Sequence, residues 1–410
     1  MGIKRLKVSN FKSFKNIDVE LKDLNIIIGA NASGKSNFIE IFRFLRDITL
    51  HGLKNAVSMQ GGGEYLKNIR LSDEISIEIN YPLKTGRIFR EKKQIQEFSN
   101  IEYSFILKVG KGTMEYFVKK DSCKLHYNLY KLRAEIGLRK GEQIGNDIVE
   151  MKKHGSRLSL KWNKNLGIKE EDIIPPFIEK EKLPAPKLLI ELIPYLFIPV
   201  LIEIFPNIAI YDFDTKLTKK AYPITGKNDL EENAENLAIV LKNIFDDRKK
   251  KTKFMNLMKD ILPFVKSLKI EKSQDKSLLL KLKETYSREK FLPAFLMSDG
   301  TMSIAAIIVA LYFENRPFII FEEPERNIHP SLIAQLMEML KDASQNKQII
   351  VTTHNPELIK YADLENIFLV SRDKESFSTI TKPKDNKRVQ NFLKHEIGID
   401  ELYIENLLEG

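Results

Sequence analysis

Residues 29–36 read GANASGKS and fit G-x-x-x-x-G-K-[ST] at every specified position. Ordinary residue frequencies produce that pattern by chance in roughly one chain in a hundred of this length, so its surroundings decide its meaning. Gly29 and Gly34 let the backbone wrap around an anion with its N–H groups pointing inward. A helix opening near Lys35 presents its positive end to the same anion. The Lys35 ammonium then reaches the β- and γ-phosphates of a nucleotide, and the Ser36 hydroxyl ligates Mg2+. Ala30, Asn31, Ala32, Ser33 and Asn37 complete the expected phosphate-contact set.

A phosphate loop of this type needs an acid on another strand. PFIIFEEPE supplies two, Glu322 and Glu323, after the apolar run Phe318–Phe321. Open α/β sheets place ligands at such C-terminal strand ends. Glu322 is expected to hold Mg2+ through water, and Glu323 to orient and activate the attacking water. Adjacent carboxylates at the end of a buried strand are costly unless a cation is near. The next apolar strand ends in TTHNP, which puts His354 where it senses or stabilises charge on the transferring phosphate. LMSDGTMS precedes a helix, and Ser298, Gly300 and Thr301 suit an anion at its N-terminus. On pattern alone, ordinary helix capping explains that loop equally well.

The elements that must carry these residues are legible in outline. IKRLKVS (3–9) and IDVELKDLNIII (17–28) read as strands, the second ending in a continuous buried run just before the glycine loop. Phe38, Ile41, Phe42, Leu45 and Ile48 then recur at helical spacing. Strand, glycine loop, helix is the context the motif requires. Residues 75–81, 101–109 and 113–119 read as antiparallel strands, with a turn at KVGKGT; 122–170 is mixed. Seven prolines fall among apolar residues between 175 and 206, NIAIYDFD reads as a strand, and 230–262 as helices. The DFD acids, Asp212 and Asp214, read as structural. From SIAAIIVALYFE onward, apolar helices and strands alternate, which indicates a largely parallel sheet.

Composition narrows the class. The chain has 410 residues, 43% of them hydrophobic and 30% charged, and suits two or three domains or one with an insertion. A net charge of +10 favours polyanionic partners, nucleic acid first among them. The basic cluster Arg248, Lys249, Lys250, Lys251 and Lys253 fits either a solvated face or a phosphate-backbone contact. The single cysteine, Cys123, excludes an internal disulfide framework and a cysteine-rich zinc site, and a reducing cytoplasm is expected. The start lacks the apolar run of a secretory signal. LLIELIPYLFIPVLIEIF (188–205) is long enough to be weighed as a membrane span, but Glu191, Glu203, Pro194 and Pro199 point to a buried or partner-facing segment.

These pieces in this order, with NFKSF at 10–14, resemble ABC-type ATPases of the SMC/RecF/OLD kind, especially stand-alone ATPases assigned to the AAA family. The likeness is close over about the first 50 residues and over 290–360; SDGT followed by EEPERNIHP and TTHNP is its specific part. It implies an α/β P-loop NTPase with an ABC-type head: a β-rich N-terminal lobe (1–165), a mainly helical insertion (166–290) and a RecA-like C-terminal lobe (291–410). ATP and Mg2+ are the implied cofactors. Such ATPases close as homodimers around ATP, so Ser298 and Gly300 would act across the dimer, with Asn327 and His329 at the seam. Phe11, Lys12 and Phe14 match the segment near the nucleotide base and phosphates.

Three departures stand out. Glu322 replaces the aspartate of many relatives, the glutamine of the Q-loop is either Gln60 or Gln143, and too few residues follow LVSR for the Toprim nuclease of OLD proteins. The resulting expectation is an ATPase that regulates a separately encoded effector, such as a nuclease, or nucleic acid in anti-phage defence. The alternatives are a RecF-like DNA-repair clamp and a nucleotide-gated scaffold with negligible turnover.

Overall fold

The computed structural model describes residues 2–89, 94–110, 115–133, 139–164, 169–170, 173–174, 183–192, 205–287, 290–394, 398–405 and 407–408. Along the chain, strands β1 (Arg5–Phe11), β2 (Phe14–Glu20) and β3 (Leu24–Ile28) precede helix α1 (Lys35–His51). Strands β4 (Glu74–Phe89), β5 (Gln94–Val109), β6 (Tyr116–Arg133), β7 (Arg139–His154) and β8 (Arg157–Lys161) follow. Next come β9 (Ile208–Tyr211), β10 (Tyr222–Pro223), α2 (Leu237–Asp246), α3 (Arg248–Ile261), β11 (Val265–Lys272), β12 (Ser277–Glu284) and β13 (Leu292–Pro293). The last stretch holds α4 (Asp299–Tyr312), β14 (Phe318–Glu322), α5 (Ile333–Ser344), β15 (Gln348–Thr353), α6 (Pro356–Lys360), β16 (Ile367–Arg372) and β17 (Ser378–Thr381).

The chain forms two compact units, each built from three separate segments. The first is Met1–Lys22, Ala32–Ile208 and Val370–Ile380; the second is Asp23–Asn31, Ala209–Leu369 and Thr381–Gly410. The expected single strand over 17–28 is therefore two strands. The chain crosses between units at Lys22–Asp23, so β2 pairs antiparallel with β1 while β3 pairs parallel with β15.

In the first unit, β1 pairs antiparallel with β2 and β4, and β4 to β8 continue as an antiparallel meander. These strands run longer than the sequence reading allowed. In β6 the buried Cys123, Leu125, Tyr127 and Leu129 alternate with more exposed Lys124, His126, Asn128 and Tyr130, the period of a half-buried strand. In α1, Phe38, Ile41, Phe42, Leu45 and Ile48 are all buried. At about 1.5–3 kcal/mol for each fully buried large apolar side chain, this stripe outweighs the weak helix preference of its phenylalanines and isoleucines.

The second unit is a parallel α/β layer. β3 lies between β16 and β15, with β14 beyond β15 and β9 outermost. Leu24–Ile28 is buried at every position, and Asn25 is tolerated there because its Nδ2 donates to the Ile349 carbonyl at 3.1 Å. α4 is buried from Thr301 to Leu311, as a helix apolar on all sides must be. The stretch 205–290 carries, beside α2 and α3, an antiparallel sheet that the sequence reading did not separate: β12 pairs with β10, β11 and β13. Leu278, Leu280 and Leu282 form its buried face.

Most of the proline-rich apolar stretch, 175–182 and 193–204, lies outside the described residues. No described helix is long and apolar enough to cross a membrane.

Candidate functional site

Strand register assembles the first group of residues. In the second unit Ile28 lies opposite Thr353, and Thr352 lies opposite Glu322. β3, β15 and β14 therefore finish together. Gly29, Ala30 and Asn31 leave the sheet at the same end as His354, Glu322 and Glu323. This is the strand edge where α/β sheets hold ligands.

Glu323 is the most constrained of these side chains. Its backbone is left-handed, at φ 46°, immediately after β14. His354 Nδ1 lies 2.7 Å from Glu323 Oε1, and Arg326 Nη2 donates to Oε2 at 3.1 Å. Arg326 Nη1 also donates to Asp212 at 3.2 Å. Burial pushes the Glu323 carboxyl up, but the Arg326 and His354 hydrogen bonds and charges outweigh it, so the group lies below its ordinary value. Glu325 is the residue that motif reading passed over. It is buried, accepts a hydrogen bond from Thr353 Oγ1, and is raised by desolvation. Its signal was present in the sequence, as an acid three residues past the end of β14.

The DFD acids are both engaged locally: Asp212 pairs with Arg326, and Asp214 caps the helix Thr215–Thr218 by accepting from the Lys216 N–H at 2.9 Å.

The SDGT loop opens α4. Ser298 Oγ accepts from the Thr301 N–H at 3.1 Å and lies 2.7 Å from Thr301 Oγ1, so it is a helix cap. Asp299 pairs with Lys219, whose hydrogen bond holds the acid below its ordinary value. Gly300 is required by space: a Cβ there would stand 2.8 Å from the Asn327 carbonyl oxygen. Asn327 is itself left-handed, at φ 67°. The His329 side chain accepts from the Ser331 N–H at 3.2 Å.

The first unit holds the rest of the loop. Ala32 is left-handed at φ 61° and Gly34 takes φ 120°. Gly34, the N-cap of α1, makes no side-chain cap hydrogen bond, and the helix's first turn contains no acid; helix N-termini favour anions. Lys35 is largely buried, and the Ser33 hydroxyl is buried without a hydrogen-bond partner. Asn37 Nδ2 donates to Ser13 Oγ at 2.8 Å.

Two sequence expectations change here. Phe14 has no exposed surface and belongs to the core, because its β2 position faces the apolar layer; it offers no face to a nucleotide base. Phe11 is likewise fully buried, 6.1 Å from the Phe44 ring centre. Lys12, at φ 46°, pairs with Glu40 of α1 at 3.3 Å. Burial raises Glu40, but hydrogen bonds from Gln60 and Lys12 prevail and lower it. Gln60 therefore joins Lys12, whereas Gln143 sits on β7 beside Asn128, at 3.3 Å.

Ser36 in the first unit and Glu322 in the second each carry a hard oxygen donor of the kind that Mg2+ takes beside phosphates and water. Among the described residues no cluster of three or more His, Cys, Asp or Glu could form an all-protein metal cage.

The family model described as "AAA domain, putative AbiEii toxin, Type IV TA system" matches residues 24–113 and 201–360, which include the glycine loop, both strand-end acids and His354. The chain belongs to this AAA-domain family. It is an ATPase. An ATP/GTP phosphatase of Helicobacter pylori is 23% identical over 378 residues, 88% of this chain and 87% of that protein. The DNA replication and repair protein RecF of Desulforudis audaxviator is 39% identical over 66 residues, 16% of this chain and 18% of its own. A solved SMC head bound to the C-winged helix domain of ScpA covers 94% of this chain and 99% of its own, at 15% identity and TM-score 0.49.

Proposed function

We propose that this AAA-domain ATPase hydrolyses ATP with Glu323 as the base for the attacking water and His354 as the group that orients Glu323. The observation that carries this reading is the pair of contacts on Glu323, His354 at 2.7 Å and Arg326 at 3.1 Å, at the sheet edge where β3 ends and Gly29 follows. A carboxylate fixed by two donors is held in one rotamer, which favours a positioned base over a freely rotating surface acid. Lys35 and the loop N–H groups from Gly29 to Asn37 would hold the phosphates, and Ser36 and Glu322 would hold Mg2+, which would supply charge neutralisation for the transferring phosphate.

The SDGT loop completes the site in a second copy of the chain. The exposed Ser298 and the half-buried Gly300, at the start of α4, meet the nucleotide of the partner, and ATP holds the dimer closed. The state of that dimer controls a separately encoded effector or nucleic acid in anti-phage defence. The family's toxin–antitoxin description and the net charge of +10 support this reading. The RecF similarity supports a DNA clamp as the second reading. In the clamp reading, ATP-dependent DNA affinity falls steeply with salt; DNA binding that ignores ATP sinks it.

The deciding experiment is Glu323→Gln. Phosphate release should drop by about 10²–10⁴-fold, the span of one general base. ATP binding should be retained, and light scattering should show an ATP-dependent dimer. A rate equal to wild type removes Glu323 from the reaction. A wild type without turnover leaves the scaffold reading.

A further inference from the structure

A hairpin far along the chain touches the phosphate loop. β16 and β17 are joined by a turn over Asp373–Phe377, in which Asp373 Oδ1 accepts from the Glu375 N–H at 2.9 Å and the Phe377 N–H at 2.8 Å. Two of its side chains meet the loop within the first unit. Arg372 donates from Nε at 3.1 Å and from Nη2 at 2.9 Å to the Ala32 carbonyl, and its Nη1 donates to the Ser376 carbonyl at 2.8 Å. Ser378 Oγ donates to the Ser33 carbonyl at 2.5 Å and lies 2.8 Å from Ser13 Oγ. The hairpin itself is braced. The Ser378 N–H donates to the Ser13 carbonyl at 2.9 Å, Arg70 donates to the Glu375 carbonyl at 2.7 Å, and the Phe377 ring lies between the Arg70 and Lys15 cations.

We infer that Arg372 and Ser378 are positioning residues that preset the phosphate loop for its nucleotide. Three facts converge on it. Ala32 is the loop residue in the left-handed region that L side chains disfavour, and its carbonyl receives both guanidinium bonds. A charged donor bonds more strongly than a neutral one, so it suits a strained carbonyl. Gly34, the other left-handed loop position, faces Ser378, whose Cβ would lie 2.9 Å from a Cβ added to Gly34. The hairpin thus fixes two consecutive carbonyls, at 32 and 33, and this turns the neighbouring N–H groups toward the anion. Neither residue needs to touch the nucleotide. The inference rests on the nucleotide-binding reading of the loop.

The test is a double-mutant cycle on the full chain, read by equilibrium binding of Mg-ATP and Mg-ADP. Arg372→Ala should weaken both nucleotides about 10-fold and by equal factors, because the loop serves the phosphates they share. Arg372→Lys keeps one donor and should recover part of the loss. In an Ala32→Gly background, where φ 61° is unstrained, Arg372→Ala should lose clearly less than in the wild-type loop. Full additivity overturns the proposal. A second readout needs no nucleotide: amide exchange at residues 32–36 of the free protein should speed up in Arg372→Lys and Ser378→Ala. Unchanged exchange in both also overturns it. Wild-type protein that binds no nucleotide but shows the exchange change refutes the functional reading and leaves the positioning role standing.

Discussion

Two loops leave neighbouring kinds of strand end in this protein, and they are held in opposite ways. The loop after β3 is fixed through its backbone: Arg372 and Ser378 hold the carbonyls of Ala32 and Ser33, and Gly34 has no room for a side chain. The loop after β14 is fixed through its side chains: Glu323 by His354 and Arg326, Glu325 by Thr353. Both contain left-handed residues other than glycine, Ala32 in the first and Glu323 and Asn327 in the second. In the proposed reading the first presents N–H groups to an anion and the second aims carboxylates. A substitution should therefore damage affinity in one loop and turnover in the other.

The largest expected break is Gly34→Ala. Its φ of 120° is strained for any L side chain, and the new Cβ meets Ser378 and Ser13. Nucleotide affinity should fall by about 100-fold or more, measured by calorimetry. Removing the Ser378 hydroxyl should not restore it, because the backbone strain remains. Gly300→Ala comes next. The Cβ would press on the Asn327 carbonyl at 2.8 Å, a backbone atom that cannot step aside cheaply. A loss of about 1–3 kcal/mol in stability is expected, with slower hydrolysis and nearly unchanged ATP affinity; thermal melts and phosphate release check it.

Arg326→Ala is a finer probe of the second loop. It deletes the leading cause that lowers Glu323 and leaves the burial that raises it. As the proposed base Glu323 must be deprotonated, so the acid limb of the rate profile should move to higher pH. A limb that stays in place would separate Arg326 from catalysis.

The smallest effect concerns stability alone. Asp121 of β6 is pushed up to about 7, first by desolvation, beside Tyr103, Cys123, Lys153 and Glu191. Its folded pKa lies above its unfolded one, so its contribution is fully present below about pH 4 and is lost as pH rises through about 7. Asp121→Asn keeps an acceptor for the Leu189 N–H. It should raise the melting temperature by a few °C, about 1 kcal/mol, at pH 8 and leave it unchanged near pH 4.

The placement of the strand-end residues was largely readable in the sequence. Motif spacing named the glycine loop, Glu322, Glu323 and His354, because each stands directly after an apolar strand and strand ends carry their own period. The bracing side was not. Arg372 and Ser378 act on backbone carbonyls 340 and 345 residues away, and a carbonyl has no residue type to betray what binds it. The need for a small residue opposite Gly34 was the only trace. Phe14 misled for a related reason: a motif position says where the backbone runs, not which face of β2 a ring takes. The long β4–β7 strands were under-read because their outward faces are rich in lysine and glutamate, which masks the alternation visible in Leu125, Tyr127 and Leu129.

The interleaving of the two units has a consequence during synthesis. The segment Val370–Ile380, which holds Arg372, is made 340 residues after Ala32 of the glycine loop. At about 5–20 residues per second, that delay is on the order of 20–70 s. For that interval the nascent chain carries the glycine loop without the contacts of Arg372 and Ser378. If those contacts preset the loop as proposed, full nucleotide affinity waits for that segment.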